Sequence, residues 1–183
     1  MPVTAPIEKK AVQGSDGEPR RVLFVCTGNT CRSPMAAALY NDMQRPREFC
    51  TACEECAAEE SLTPTNAVAL SAGLYVSEGA PISEEAVTVL REACVMPVPG
   101  NDYTAHRAQP VTQALMESVD EVIAISSAHA MELMMRFPEQ ADKIHTLPMD
   151  VPDPYGRGLA AYRDCLSRLR YYIQLYGAMG AQS

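Results

Sequence analysis

Short apolar runs alternate with helix-forming segments along most of the chain. Four such runs, bounded by turn residues, predict buried strands at 21–26, 67–72, 120–125 and 143–147. Helical composition or apolar spacing predicts helices from about 34 to 40 and over 83–94, 110–118, 128–137 and 159–176. Strands that alternate with helices predict an α/β fold, with a parallel sheet covered on both faces.

Capping and turn residues define the helix bounds more closely. Pro34 is expected at the first helical position, because its missing N–H would be unpaired there in any case. Ser83 is expected to cap the second helix, and Pro138 to end the fourth.

We interpret His129 and His145 as structural. The fourth helix also carries three methionines that we interpret as core-filling: Met131, Met134 and Met135.

Polar segments at the start and in the middle interrupt this pattern. Residues 1–19 are a predicted flexible polar tail and residues of about 45–65 a predicted Cys/Glu-rich insertion, within one domain at 20–178. The first 21 residues contain no apolar run of signal-peptide length. No stretch approaches the roughly 20 apolar residues of a membrane span. The expected location is cytoplasmic, with no membrane partner.

Composition narrows the classes of partner. The chain of 183 residues has 15 Lys and Arg against 23 Asp and Glu, a formal net charge of −8, so nucleic acid is not an expected partner. Its seven cysteines are an odd number, which is more typical of reduced thiols than of a disulfide framework. Any phosphate that this acidic chain binds must meet a local positive field.

One such field is predicted where the first strand meets the first helix. The loop from Cys26 to Pro34 reaches a helix N-terminus, whose unpaired N–H groups and dipole form a nest for an anion. Gly28 and Asn29 tolerate a left-handed backbone, and Arg32 can place its guanidinium over two phosphoryl oxygens. Cys26 is then expected to be a thiolate nucleophile. The alternative is a buried strand-end cysteine beside a surface arginine.

A second loop is expected at the same edge of the sheet. Residues 151–158 follow the last strand, and sites in parallel sheets lie beyond the carboxyl ends of the strands. Asp153 stands between Pro152 and Pro154, which stiffen its loop, and its carboxyl can protonate a leaving group. The alternative is an ordinary Asp-Pro turn.

Three segments together resemble the low-molecular-weight protein tyrosine phosphatases. They are residues 22–37, Ser71-Ala72-Gly73-Leu74 and Asp153-Pro154-Tyr155-Gly156. The resemblance covers about 20–178. It implies a single-domain, four-stranded parallel sheet with helices on both faces, and a metal-free hydrolase that forms a phosphocysteine intermediate.

The resemblance also implies a role for each matching position. Cys26 corresponds to the nucleophile, Arg32 to the phosphate clamp and Asp153 to the general acid. Ser33 corresponds to a hydroxyl that hydrogen-bonds the thiolate.

Several further residues are expected to shape the site. Asn29 corresponds to a residue that shapes the loop, and its expected partner is His106; the alternative for His106 is a surface histidine. Tyr155 follows the acid and can flank the substrate. The other expected phosphate-binding positions lie in the loop itself: Thr27, Gly28, Thr30 and Cys31.

Thr30 bears on the choice of substrate. The tyrosine phosphatases of this family commonly have a larger aliphatic residue there, whereas the bacterial protein arginine phosphatases resemble this loop, with Thr. A threonine leaves room for a planar guanidinium and offers a hydroxyl, and Asp153 can attract the cation. The predicted substrate is therefore a protein phosphorylated on arginine, with protein phosphotyrosine as the alternative.

Among the cysteines other than Cys26, Cys31 suggests redox chemistry. The resemblance implies a reversible disulfide between Cys31 and Cys26; the alternative for Cys31 is a small buried residue. A thioredoxin-coupled arsenate reductase shares the loop but needs two further cysteines mid-chain, where only Cys94 lies. Cys94 and Cys165 are expected to be core thiols.

The remaining three cysteines lie in the predicted insertion. Cys50, Cys53 and Cys56 could supply three thiolates to zinc, or form a redox interaction module. Structural zinc usually has four ligands, so the alternative is a Cys-rich loop that holds no metal.

Overall fold

The computed structural model describes residues 18–45 and 66–180, except for the side chains of 178–180. These ranges contain most of the predicted domain. The predicted tail before residue 18 and the predicted insertion after residue 45 lie outside them, and so do Cys50, Cys53 and Cys56. The bounds of the tail and of the insertion stay predictions.

Four parallel strands form one sheet, as predicted. In the order β2-β1-β3-β4, the strands are β1 (Arg20–Cys26), β2 (Ala67–Gly73), β3 (Glu121–Ala124) and β4 (Ile144–Thr146). The α-helices of the described ranges are α1 (Arg32–Met43), α2 (Glu84–Glu92), α3 (Gln113–Glu117), α4 (Ser127–Arg136) and α5 (Leu159–Gly180). Short 3-10 helices span Tyr103–Ala105 and Pro138–Lys143. None of the helices in the described part of the chain is long and apolar enough to cross a membrane.

The central strand β1 shows why the strand sequences are apolar on both faces. Val22 and Phe24 belong to a core that includes residues of α1, α2 and α5. Leu23 and Val25 belong to a second core, with residues of α3 and α4. Successive side chains of a strand point to opposite faces, so a sheet covered on both sides needs an uninterrupted apolar run. All four side chains are fully buried.

The strand order creates a crevice at the carboxyl ends of β1 and β3. From β1 the chain crosses to β2 on one side, whereas from β3 it crosses to β4 on the other. The loops that leave β1 and β3 therefore separate, and open parallel sheets bind their ligands at such a point. Cys26 is the last residue of β1. The loop that follows β4 begins at the same edge.

The first two helices differ in detail from their predicted starts. Helix α1 begins at Arg32, so Pro34 is its third residue and not its first. Its position is still compatible with a helix, because the N–H groups of the first turn have no partner within the helix. Ser83 occupies the N-cap position of α2, but its side chain makes no capping hydrogen bond.

The helix predicted over 110–118 is much shorter than expected. Only Gln113–Glu117 are helical, and the Thr112 hydroxyl caps them by accepting a hydrogen bond from Leu115 N. Pro110 instead forms a parallel β-bridge with Gly73 at the end of β2. Tertiary pairing with the sheet therefore overrides the helical composition of this segment.

The interpretation of the α4 methionines as core-filling is wrong. Met131, Met134 and Met135 are 67%, 41% and 81% exposed. Ala130 and Leu133 form the buried face of α4, and the helical period turns the methionines outward.

Candidate active site

The loop after β1 curls at Asn29, which has a left-handed backbone with φ of +56°. Asparagine adopts this conformation more readily than most residues, because its short polar side chain can bond locally. Of the two residues expected to tolerate a left-handed backbone, only Asn29 adopts it, and Gly28 does not have a positive φ. The turn therefore depends on a single residue.

The Asn29 side chain ties the loop to three other elements. Its Nδ2 donates to Ser33 Oγ at 2.9 Å and to Ser71 Oγ at 3.0 Å, and its Oδ1 accepts from Gln109 N at 2.9 Å. His106 Nε2 lies 2.8 Å from the Asn29 carbonyl oxygen. Burial lowers the pKa of His106 below its ordinary value, so at neutral pH this ring is neutral. Asn29 itself is completely buried.

The Cys26 thiol lies inside the curl and is 2% exposed. Its Sγ accepts a hydrogen bond from Asn29 N at 3.4 Å and lies 3.0 Å from Ser33 Oγ. Ser33 Oγ in turn donates to Ala72 O at 3.2 Å. The loop therefore encloses this sulfur with one backbone N–H donor and one hydroxyl.

The end of β2 forms a wall against which the loop packs. Leu74 N donates to Cys26 O at 3.0 Å, and Tyr75 N donates to Thr27 O at 2.9 Å. A Cβ at Gly73 would lie 2.7 Å from Thr27 O and 2.6 Å from a Val76 methyl carbon, which is too close for any side chain. Position 73 therefore needs glycine for the strand and the loop to approach.

Arg32 and Asp153 meet across the crevice. Arg32 Nη2 donates to Asp153 Oδ2 at 2.7 Å, and the guanidinium also contacts Val151 O at 3.4 Å and Thr27 Oγ1 at 3.3 Å. The Arg32 side chain is only 9% exposed, whereas that of Asp153 is 51% exposed. An anion that enters the crevice would compete with Asp153 for this guanidinium.

A pocket of about 540 Å³ opens above these groups. Its walls are the 26–32 loop, residues of the segment before and at the start of α2, Asp153 and Tyr155. Arg32 is the only cationic side chain among its described lining residues, and Glu84 and Asp153 are the carboxylates. Within residues 18–45 and 66–180, no group of three or more His, Cys, Asp or Glu is placed to hold a metal ion.

Comparison with known proteins places the chain among phosphatases. A sequence profile of the low molecular weight phosphotyrosine protein phosphatases matches residues 21–176. The chain belongs to this family. It is thus a phosphoric monoester hydrolase of the low-molecular-weight protein phosphatase type.

Similar proteins act on either of two phosphorylated side chains. A protein-arginine-phosphatase of Geobacillus stearothermophilus is 33% identical over an alignment of 162 residues, and the match covers 85% of this chain and 92% of that one. The structure of an arginine phosphatase from the same organism superposes with a TM-score of 0.69 at 32% identity, over 88% and 92% of the chains. The structure of a low molecular weight protein tyrosine phosphatase from T. tengcongensis superposes with a TM-score of 0.67 at 35% identity, over 85% of this chain and 95% of that one. These matches do not favour the arsenate reductase alternative.

The sequence did not identify three residues at the site of this phosphatase. His129 Nε2 lies 2.9 Å from Thr27 Oγ1, although we interpreted His129 as only structural. Asp150 accepts hydrogen bonds from Ser127 N and Oγ, which ties the loop of the candidate acid to α4. Tyr162 Oη lies 3.1 Å from Cys31 Sγ. Their signals are weak in the sequence, because each contact joins segments far apart in the chain.

The cysteines of the described ranges are free thiols: Cys26, Cys31, Cys94 and Cys165. Cys165 is a core thiol as expected, and burial raises its pKa to about 12. Cys94 is only half-buried and has a φ of +58°, so its assignment to the core is wrong. The disulfide between Cys26 and Cys31 stays a prediction.

Replacing Asn29 tests its part in the loop. Asn29→Ala should lower the free energy of unfolding by about 2–4 kcal/mol, because buried polar groups lose their partner and alanine is strained at a positive φ. Asn29→Gly loses the same hydrogen bonds without the strain, so it should be more stable than the alanine variant by about 0.5–1 kcal/mol. Chemical denaturation measures both values. Equal stabilities would show that the backbone conformation at position 29 contributes nothing.

Proposed function

We propose that the protein is a metal-free, cysteine-dependent protein phosphatase that forms a phosphocysteine and acts on proteins phosphorylated on arginine. The observation that carries the proposal is the convergence of Cys26, Arg32 and Asp153 on one pocket. This set provides a nucleophile, an anion clamp and a proton donor. The relatives named as protein phosphatases support the class of reaction.

The proposed first step transfers the phosphoryl group to sulfur. Cys26 Sγ attacks phosphorus while the bond from phosphorus to the leaving nitrogen or oxygen breaks. Asp153, as the carboxylic acid, gives its proton to that leaving atom, and Arg32 binds the phosphoryl oxygens. The products are a phosphocysteine, the Asp153 carboxylate and the dephosphorylated side chain.

The proposed second step releases Cys26. The Asp153 carboxylate takes a proton from water, whose oxygen attacks phosphorus while the phosphorus–sulfur bond breaks. The products are inorganic phosphate and the thiolate, and Asp153 is protonated again. The Arg32–Asp153 contact supports this scheme, because it brings the carboxyl to the part of the crevice where Arg32 would hold the phosphoryl group.

The charges at the mouth of the pocket support arginine phosphate as the substrate. Once Arg32 holds the phosphoryl group, the Glu84 carboxylate leaves the mouth of the pocket negative. A guanidinium is attracted there, whereas a neutral phenol is not. Thr30 lines the same pocket. Tyr155, which is 72% exposed at the rim, can pack against either a guanidinium or a phenol, so phosphotyrosine is the second candidate.

A reducing, cytoplasmic setting is part of the proposal. A reactive thiolate has to stay reduced, and the cysteines in the described part of the chain are free thiols. The proposed partner is a phosphorylated protein, with neither nucleic acid nor membrane as a partner.

Assays of wild type and Cys26→Ser on phosphoarginine and phosphotyrosine peptides, without added metal, test the enzyme. The wild type should release phosphate, and the variant should be slower by at least about a thousandfold, because serine is a poor nucleophile without an activating base. Phosphate release that does not depend on Cys26 would refute the mechanism. A higher kcat/KM on the phosphotyrosine peptide would refute the choice of substrate only.

Thr30→Ile tests the specificity. Isoleucine narrows the pocket and removes the hydroxyl, so the ratio of kcat/KM for phosphoarginine to that for phosphotyrosine should fall about tenfold or more. The two peptides should differ only in the phosphorylated residue. An unchanged ratio would remove Thr30 from the account of specificity.

Glu84→Gln tests the negative mouth of the pocket. The KM for a phosphoarginine peptide should rise about two- to fivefold, because the lost attraction is that of an exposed charge pair. The KM for phosphotyrosine should fall or stay the same, and added salt should reduce both effects. Glu85→Gln is the matched control, since Glu85 is an exposed carboxylate in the same helical turn but does not line the pocket. The same KM change in both variants would contradict a local role for Glu84.

A further inference from the structure

The parallel pairing of β1 with β3 brings two chain segments together that are far apart in sequence. The register pairs Val25 with Ala124, so the loop after β1 and the start of α4 leave the sheet side by side. His129 is the third residue of α4 and is 7% exposed. It is the only described histidine classed as buried. Its ring faces the loop that holds Cys26.

Both ring nitrogens of His129 have polar neighbours. Nδ1 lies 2.8 Å from Ser126 Oγ, and Nε2 lies 2.9 Å from Thr27 Oγ1. Burial first, and then the positive charge of Arg32, hold the pKa of His129 below its ordinary value. At neutral pH the ring is therefore neutral, with one nitrogen to donate a hydrogen bond and one to accept.

The Thr27 hydroxyl joins this histidine to the candidate phosphate clamp. Arg32 Nη2 donates to Thr27 Oγ1 at 3.3 Å. In one tautomer Nε2 accepts the Thr27 hydroxyl proton and Nδ1–H donates to Ser126 Oγ; in the other, Ser126 Oγ donates to Nδ1 and Nε2–H donates to Thr27 Oγ1. In either case Ser126 Oγ also accepts from His129 N, and the ring gives the Thr27 hydroxyl a second partner beside Arg32.

Thr27 contributes a fixed acceptor for Arg32. The other two acceptors of the guanidinium are Val151 O and Asp153 Oδ2, both in the loop after β4. Asp153 has to turn to the leaving atom during the proposed reaction, so it cannot hold Arg32 throughout. Thr27 is in the loop that is proposed to surround the phosphoryl group, and its second partner, His129 Nε2, restricts the rotation of its side chain.

We propose that His129 is a positioning residue that orients the Arg32 guanidinium through the Thr27 hydroxyl. The role rests on the proposed function, in which Arg32 binds the phosphoryl group. His129 touches neither the substrate nor the reacting atoms. Without its ring the Thr27 side chain can rotate, and the guanidinium loses one of the two acceptors that do not move in the proposed reaction, the other being Val151 O.

Three substitutions separate this role from simple core filling. His129→Ala removes both contacts. The amide of His129→Gln can reach the position of Nε2 and so Thr27, whereas that of His129→Asn reaches only the position of Nδ1 and so Ser126. His145→Ala is the control, because His145 is an exposed histidine on β4 that lies 3.9 Å from Glu121.

The kcat/KM for a phosphoarginine peptide and the affinity for inorganic phosphate are the two readouts. Calorimetry on the Cys26→Ser variant measures phosphate binding without turnover. We expect His129→Ala and His129→Asn to lower kcat/KM about tenfold to a hundredfold and to weaken phosphate binding. His129→Gln should restore most of both values, and His145→Ala should match the wild type.

A double-mutant cycle with Thr27→Val completes the experiment. If His129 acts through Thr27, the two losses should not add. The kcat/KM of the double variant Thr27→Val/His129→Ala should then be no lower than that of the more impaired single variant. Additive losses, or a glutamine variant as impaired as the alanine variant, would overturn the proposal. Thermal unfolding of each variant identifies losses that come from unfolding alone. An inactive wild type would instead refute the proposed function, and full activity of His129→Ala would refute only the role of His129.

Discussion

The candidate site depends on one buried residue in a left-handed conformation. Asn29 turns the loop, and its side chain holds that turn by hydrogen bonds to Ser33, Ser71 and Gln109. The backbone N–H of Asn29 points at Cys26 Sγ as a result of this turn. A left-handed residue is stable here only because every one of its polar groups has a partner in the surrounding structure.

The second requirement of the site is a positive charge in an acidic chain. The formal net charge is −8, yet the guanidinium of Arg32 is almost buried at the start of α1. Its neighbours Thr27, Val151 and Asp153 all accept hydrogen bonds from it, which compensates for the loss of water. An incoming phosphoryl group has to compete with only one of these neighbours for charge, namely Asp153. The pocket is therefore ready for an anion without a basic surface.

The strands and the loop after β1 could be predicted because their signals are local. A strand buried on both faces has a continuous apolar run, and a loop that ends in a helix has turn residues before a helix-forming segment. The helices were predicted less well. Pro110 pairs with the end of β2 instead of beginning a helix, and the methionines of α4 face outward, because packing against neighbouring elements decides both.

By itself, the sequence determined the fold class and the segment that carries Cys26 and Arg32, because strand, loop and helix are encoded by adjacent residues. Only the tertiary structure decided which distant groups complete the site. His129 reaches Thr27 over 102 positions in the chain, and Arg32 pairs with Asp153 over 121. Such contacts depend on which strands are neighbours and where their ends meet. That order follows from the packing of the whole sheet and leaves no local pattern in the residues concerned.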